Sequence, residues 1–218
     1  MKTVRIWFRK IGTAKYISHL DLNRCMARAM RRAAIPAWVT EGFNPHLFLT
    51  FALPLSLGQE GLDESMDIKL ADDAEIDDIP AKLNATLPAG LEVTRAAIAV
   101  AKPAAIASAV YEITLTPQPG DPSELAEKWT AFLAQPHIPV IKKGKSGERE
   151  IDLRPCLLAC DTAPVNGGVH SRLRLPAGSS ENVNPSLLLD AFAAQSGLAF
   201  YPQVVRTAVL DAAGKKFA

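Results

Sequence analysis

The stretch from Lys15 to Leu53, KYISHLDLNRCMARAMRRAAIPAWVTEGFNPHLFLTFAL, constrains the chain most. Ser18 is suited to cap a helix, because its hydroxyl can accept an orphan amide proton of the first turn. Asp21 places a negative charge near the positive end of the helix dipole. Leu22, Cys25, Met26, Ala29, Met30 and Ala33 then recur at helical spacing and predict one apolar stripe. Arg24, Arg28, Arg31 and Arg32 fall on the opposite side, and Pro36 is the expected stop. After it, AWVT reads as a short strand, EGFNPH as a turn and LFLTFAL as a β-forming run. A helix followed by two strands within so short a stretch is the middle of a βαββαβ plan.

The flanking sequence supplies the remaining elements. TVRIWFRKI alternates as a first strand, with Val4, Ile6 and Phe8 on one side and Arg5, Trp7 and Arg9 on the other. That second side predicts a sheet with one face open to water. MDIKLA, EIDDIPAKLNATLP and LEVTRAAIAV predict a strand, a helix and a closing strand. AKPAAIASA reads as a linker. The order then recurs. VYEITLTP is a strand, and DPSELAEKWTAFLAQP a helix capped by Asp121 with Pro122 at its first position. IPVIKKGKSGEREIDLRPCLLACDT looks like a hairpin with a basic, glycine-containing tip. VHSRLRLP is a strand, NVNPSLLLDAFAAQSG a helix capped by Asn184, and LAFYPQVVRTAVLD a strand. The expected fold is therefore α+β, with two tandem ferredoxin-like (βαββαβ) units over residues 1–100 and 110–218, joined by a linker over 101–109.

Net charge is +1, so bulk charge names no partner, but its distribution is uneven. Residues 1–40 carry nine Lys or Arg against Asp21 alone, and residues 60–78 carry nine Asp or Glu against Lys69 alone. A basic and an acidic face are expected. No run is long and apolar enough to cross a bilayer, and MKTVRIWFRKIG lacks the apolar core of a signal peptide, so the expected location is cytoplasmic. Of the three cysteines, Cys25 falls on the apolar stripe, while Cys156 and Cys160 are read as small buried residues. A mixed metal site drawing on these two with His137 and His170 is the alternative to that reading; no metal is expected.

The string KYISHLDLNRCMARAMRRA, with EGFNPH, FALPLSLG and MDIKL after it, resembles a bacterial family of uncharacterised domains known as radical SAM-linked proteins. The likeness extends to KKGKSGEREIDLRP and NVNPSLLL. Where that family commonly carries a proline and a basic residue after the histidine, this chain has Leu47 and Phe48. The resemblance implies a domain that stands alone or is fused to a radical SAM enzyme. Those enzymes hold a four-iron cluster through C-x3-C-x2-C, and this chain has no such triplet. It would therefore be an accessory, with no cofactor of its own.

The leading functional expectation is a non-catalytic RNA-binding accessory protein. Phosphates would be held by Arg24, Arg28, Arg31 and Arg32 together with Lys142, Lys143, Lys145 and Arg149 at the hairpin tip, in a groove between the two units. Asn44 and His46 would contact the ligand from the turn, and Trp7, Tyr16 and Phe43 are candidates to stack on bases. One alternative is a metal-independent endoribonuclease. In it His19 or His46 would be general base toward a ribose 2′-hydroxyl and Lys15 would steady the phosphorane. Another is a peptide- or protein-binding adaptor for a radical SAM enzyme.

Overall fold

The structure, a computed structural model, describes residues 1–144, 147–179 and 181–218. The chain is α+β and divides into two compact units, Met1–Ile106 with the C-terminal Lys215–Ala218, and Ala107–Gly214.

The first unit runs β1 (Lys2–Lys10), α1 (His19–Arg32), β2 (Leu49–Phe51), β3 (Glu60–Leu70), α2 (Ile79–Asn84) and β4 (Leu91–Ile98). Its strands lie in the order β4-β1-β3-β2, with each of these neighbours antiparallel. Val4, Ile6 and Phe8 of β1 share the core with Met26 and Met30 of α1 and with Met66 and Ile68 of β3. The run expected as LFLTFAL reduces to three residues of β2. The AWVT segment contributes isolated bridges, Ala37 to Leu70 and Val39 to Leu47, rather than a strand. Likewise α2 forms only six residues of the longer helix its sequence predicts.

The sheet face expected to be open is occupied. Trp7 is 2% exposed, with the Arg95 guanidinium 3.5 Å above its ring. Arg5 is 0% exposed. Its Nε and Nη2 donate to the Asp67 carboxylate at 2.7 and 2.8 Å, and Nη2 also donates to the Ala101 carbonyl at 2.7 Å. The Phe217 ring lies 4.0 Å from the guanidinium carbon. Alternation along β1 shows where each side chain points. It does not show that two distant segments, residues 99–101 and the C-terminal tail, return to this face. Lys10, counted in sequence among the basic surface residues, is 1% exposed, and its ammonium donates to the carbonyl of Ile17 at 2.8 Å.

The second unit contains β5 (Ile106–Pro117), α3 (Pro122–Leu133), β6 (Pro139–Gly144), β7 (Gly147–Asp152), β8 (Ala159–Val165), β9 (Gly168–Pro176), α4 (Pro185–Ser196) and β10 (Phe200–Asp211). Its sheet order is β10-β5-β9-β8. Both helices begin where their sequences predict: Asp121 accepts from the Ser123 amide at 2.9 Å and Asn184 from the Ser186 amide at 3.1 Å. Trp129 and Phe132 of α3 pack on Phe192 of α4, and the Trp129 indole donates to Ser171 of β9 at 2.8 Å.

Three expectations change here. The basic hairpin, β6 with β7, is a separate two-stranded sheet, and the strand beside β9 is β8, formed by residues expected within the hairpin region. Residues 101–109 are not a free linker, because Pro103–Ala105 form a 3-10 turn and β5 starts at Ile106. Lys215–Ala218 belong with the first unit, where the Ala101 amide donates to the Ala218 carbonyl at 3.0 Å.

Candidate phosphate-binding groove

Helix α1 carries its basic residues one turn apart. Arg24, Arg28 and Arg32 are four residues apart, so each step rises about 6 Å along the axis. The three line one side of a groove of about 400 Å³, with Cys25 and Asp21 beside them. The opposite wall is Thr86, Leu87 and Pro88, the segment that follows α2. The Thr86 hydroxyl bonds the Ala29 carbonyl at 3.2 Å and the Leu83 carbonyl at 3.0 Å, which ties this wall to α1.

The three guanidinium groups are engaged to different extents. Arg24 donates to Asp21 at 3.0 Å in an exposed pair, which water and salt screen. Arg32 donates to the Thr86 carbonyl at 2.8 Å and keeps its full charge. Arg28 makes no hydrogen bond or ion pair among the described residues. The Asp21 carboxyl is held below its ordinary range by the Ser18 hydroxyl first and by Arg24 second. Three cations against one carboxylate give the groove a positive field. Cys25 sits within it, but burial pushes its thiol up despite Arg32 and Arg28, so the protonated form dominates at neutral pH and nucleophilicity is low. Arg31 is exposed on the same helix and does not line the groove.

The other candidates lie elsewhere. The Lys15 ammonium is 3.8 Å from Glu60 and 5.3 Å from the Tyr16 ring centroid. His19 packs edge-on against Phe51 with centroids 5.0 Å apart, and its Nδ1 is buried with no hydrogen-bond partner among the described residues. His46 is exposed, and its Nδ1 lies 3.0 Å from the Asn44 carbonyl and 3.1 Å from the Thr40 hydroxyl. None of Lys15, His19, Asn44 or His46 lines the arginine groove. Of the candidate stacking residues Trp7 is buried, whereas Tyr16 and Phe43 are exposed. Lys145 lies outside the described residues, as do the side chains of Lys142, Lys143 and Arg149. In the second unit His137 pairs with Asp152 at 2.9 Å, His170 with Glu112 at 2.9 Å, and Cys156 with Glu181 at 3.6 Å. Cys160, exposed rather than buried, lies 3.7 Å from the Thr162 hydroxyl, so the four residues of the conceivable metal set go to separate partners.

The arginine spacing was visible in the sequence. The wall at Thr86–Pro88 was not. Nothing in TLPAG reports that the chain after α2 comes alongside α1, since that approach is set by packing of both helices on one sheet.

No curated protein matches this chain. Among solved structures, a crystal structure of an unknown protein from Galdieria sulphuraria is 14% identical over 94% of this chain and 98% of that one, with a TM-score of 0.26. Likeness at that level carries no argument about fold or function. A family profile matches residues 3–185. The chain therefore belongs to the family described as an uncharacterized protein conserved in bacteria (DUF2344).

Proposed function

We propose that this protein binds RNA without cutting it, holding successive backbone phosphates along α1 with Arg24, Arg28 and Arg32. The observation that carries this is three arginines four residues apart on α1 lining one groove, with Arg28 making no hydrogen bond or ion pair among the described residues. Charges repeated along an open groove suit a backbone with evenly spaced phosphates, and neutralising phosphates releases condensed counterions. The strand orders of the two units support reading both as ferredoxin-like, with the β6–β7 hairpin inserted in the second. The resemblance to radical SAM-linked proteins supports an accessory role beside such an enzyme.

Binding to a labelled single-stranded RNA, followed by anisotropy at several salt concentrations, tests the reading. Two to three phosphate contacts give a slope of log K against log salt of about −1.4 to −2.1. Arg28→Ala reduces the magnitude of that slope by about 0.7. A slope near zero, or an Arg28→Ala slope equal to that of the unmodified protein, rejects the groove. Cleavage of the RNA in EDTA, lost in His19→Ala, would replace this reading by the endoribonuclease.

A further inference from the structure

Hydrogen bonds close the turn between Val39 and Leu47, and an aromatic ring at its tip touches little of its own chain. The Thr40 amide donates to the His46 carbonyl at 2.8 Å, the His46 amide to the Thr40 hydroxyl at 3.1 Å, and the Phe48 amide to the Trp38 carbonyl at 3.0 Å. Gly42 takes a φ of +114°, which a side chain would resist. The His46 Nδ1 faces the Asn44 carbonyl, so the network assigns the proton to that nitrogen and leaves Nε2 as an acceptor in the neutral ring. At the root, the Trp38 and Phe48 rings lie 5.8 Å apart with the Lys69 ammonium 5.1 and 4.8 Å from their centroids. On this frame Phe43 is 108% exposed.

We infer that this tip, Phe43 with Asn44 and His46, holds one unpaired nucleobase, so that the RNA taken is single-stranded or looped rather than continuous duplex. The inference rests on the RNA-binding reading above. A lone exposed apolar side chain is ordinary on a protein surface. Here the ring is carried on a hydrogen-bonded turn that also carries two exposed polar side chains. The Asn44 amide has no partner among the described residues, and the His46 Nε2 is outside the bonds that brace the turn. A ring with a donor and acceptors alongside matches a base, which offers a face to stack and an edge to bond. Glu41, Asn44 and His46 are exposed on the same turn as Phe43, as are Gly42 and Pro45. In a duplex the base faces are already stacked on one another, which leaves such a ring no partner.

The test compares two RNAs of equal length and charge, a stem closed by an unpaired loop and an uninterrupted duplex, binding to the full chain. Phe43→Ala weakens looped RNA about 5- to 100-fold and leaves the salt slope and the duplex affinity unchanged. Phe43→Trp keeps looped binding. 2-Aminopurine in the loop is quenched by the unmodified protein and not by Phe43→Ala. Phe43 packs on nothing, so the variant folds, and circular dichroism checks this. Equal affinity of Phe43→Ala and unmodified protein for looped RNA, with Arg28→Ala still weakened, overturns the tip and leaves the groove standing. Absence of RNA binding in the unmodified protein overturns both. If Phe43→Ala instead abolishes capture of a protein partner while looped RNA still binds, the ring is a protein anchor and the inference fails.

Discussion

Asp152 shows how one side chain organises a junction. Its carboxylate accepts from the amides of Ile138 at 2.8 Å and Arg154 at 2.9 Å and faces the His137 imidazole at 2.9 Å. The Ile138 amide first, then His137 and the Arg154 amide, pull its carboxyl from 3.8 down to about 2. A carboxylate depressed on folding stabilises above its unfolded value and loses that stabilisation as pH falls through its folded one. Its contribution is therefore complete above about pH 4 and disappears toward pH 2. Asp152→Asn keeps an acceptor oxygen but cannot ionise. Its urea midpoint should differ from that of the unmodified protein at pH 4.5 and approach it at pH 2.5. A difference that stays constant across that window would show that the charge is not what matters. At the same scale, Arg5 with Asp67 removes a cation and an anion from water together. Neither a charged surface nor an open sheet face can therefore be inferred from an arginine's position in a strand.

Helix α1 is the element on which the groove depends, and its end has an unexpected construction. The Ile35 amide donates to the Met30 carbonyl at 3.0 Å and the Ala34 amide to the Arg31 carbonyl at 3.2 Å. These two bonds close the helix with Ala34 in the left-handed region at φ 51°. Pro36 only forbids continuation; the chain has already turned at Ala34. A side chain at that φ is strained, whereas glycine adopts it freely. Ala34→Gly should raise stability by about 0.5–1 kcal/mol, measured by chemical denaturation. A loss of stability would mean that the greater freedom of glycine in the unfolded chain outweighs the relief of strain. At the other end the Asp21 amide donates to the Ser18 hydroxyl at 3.2 Å, as the sequence indicated. The same Asp21 then holds Arg24, so the cap and the groove share a residue.

At the scale of the whole molecule, the C-terminal residues return to the first unit. Phe217 is 4% exposed and lies against Arg5, and the Lys216 ammonium is 3.7 Å from Asp63. Phe217→Ala should cost about 3 kcal/mol, the lower end for a buried Phe near a chain end. In a Trp129→Phe background, fluorescence reports only Trp7 and Trp38 of the first unit. Its denaturation midpoint should fall on the Phe217 substitution. An unchanged midpoint would mean that the tail is not a structural part of that unit. Among the described residues no helix is long and apolar enough to cross a membrane.

What the sequence determined by itself is local. Ser18, Asp121 and Asn184 cap helices because a side-chain oxygen reaches an amide two or three residues away. The apolar stripes of α1 and α3 and the inward residues of β1 follow from periodicities of 3.6 and 2. The one-turn spacing of Arg24, Arg28 and Arg32 follows from the same helix geometry. Only the tertiary structure decided which chain segments meet. It buried Arg5, Trp7 and Lys10, set Thr86–Pro88 opposite the arginines, and left Phe43 without a neighbour. The burial of Arg5 and the groove wall depend on contacts between residues tens to hundreds of positions apart, such as Arg5 with Asp67 and Phe217 and Arg32 with Thr86, and such contacts leave no period or spacing in the sequence of either partner.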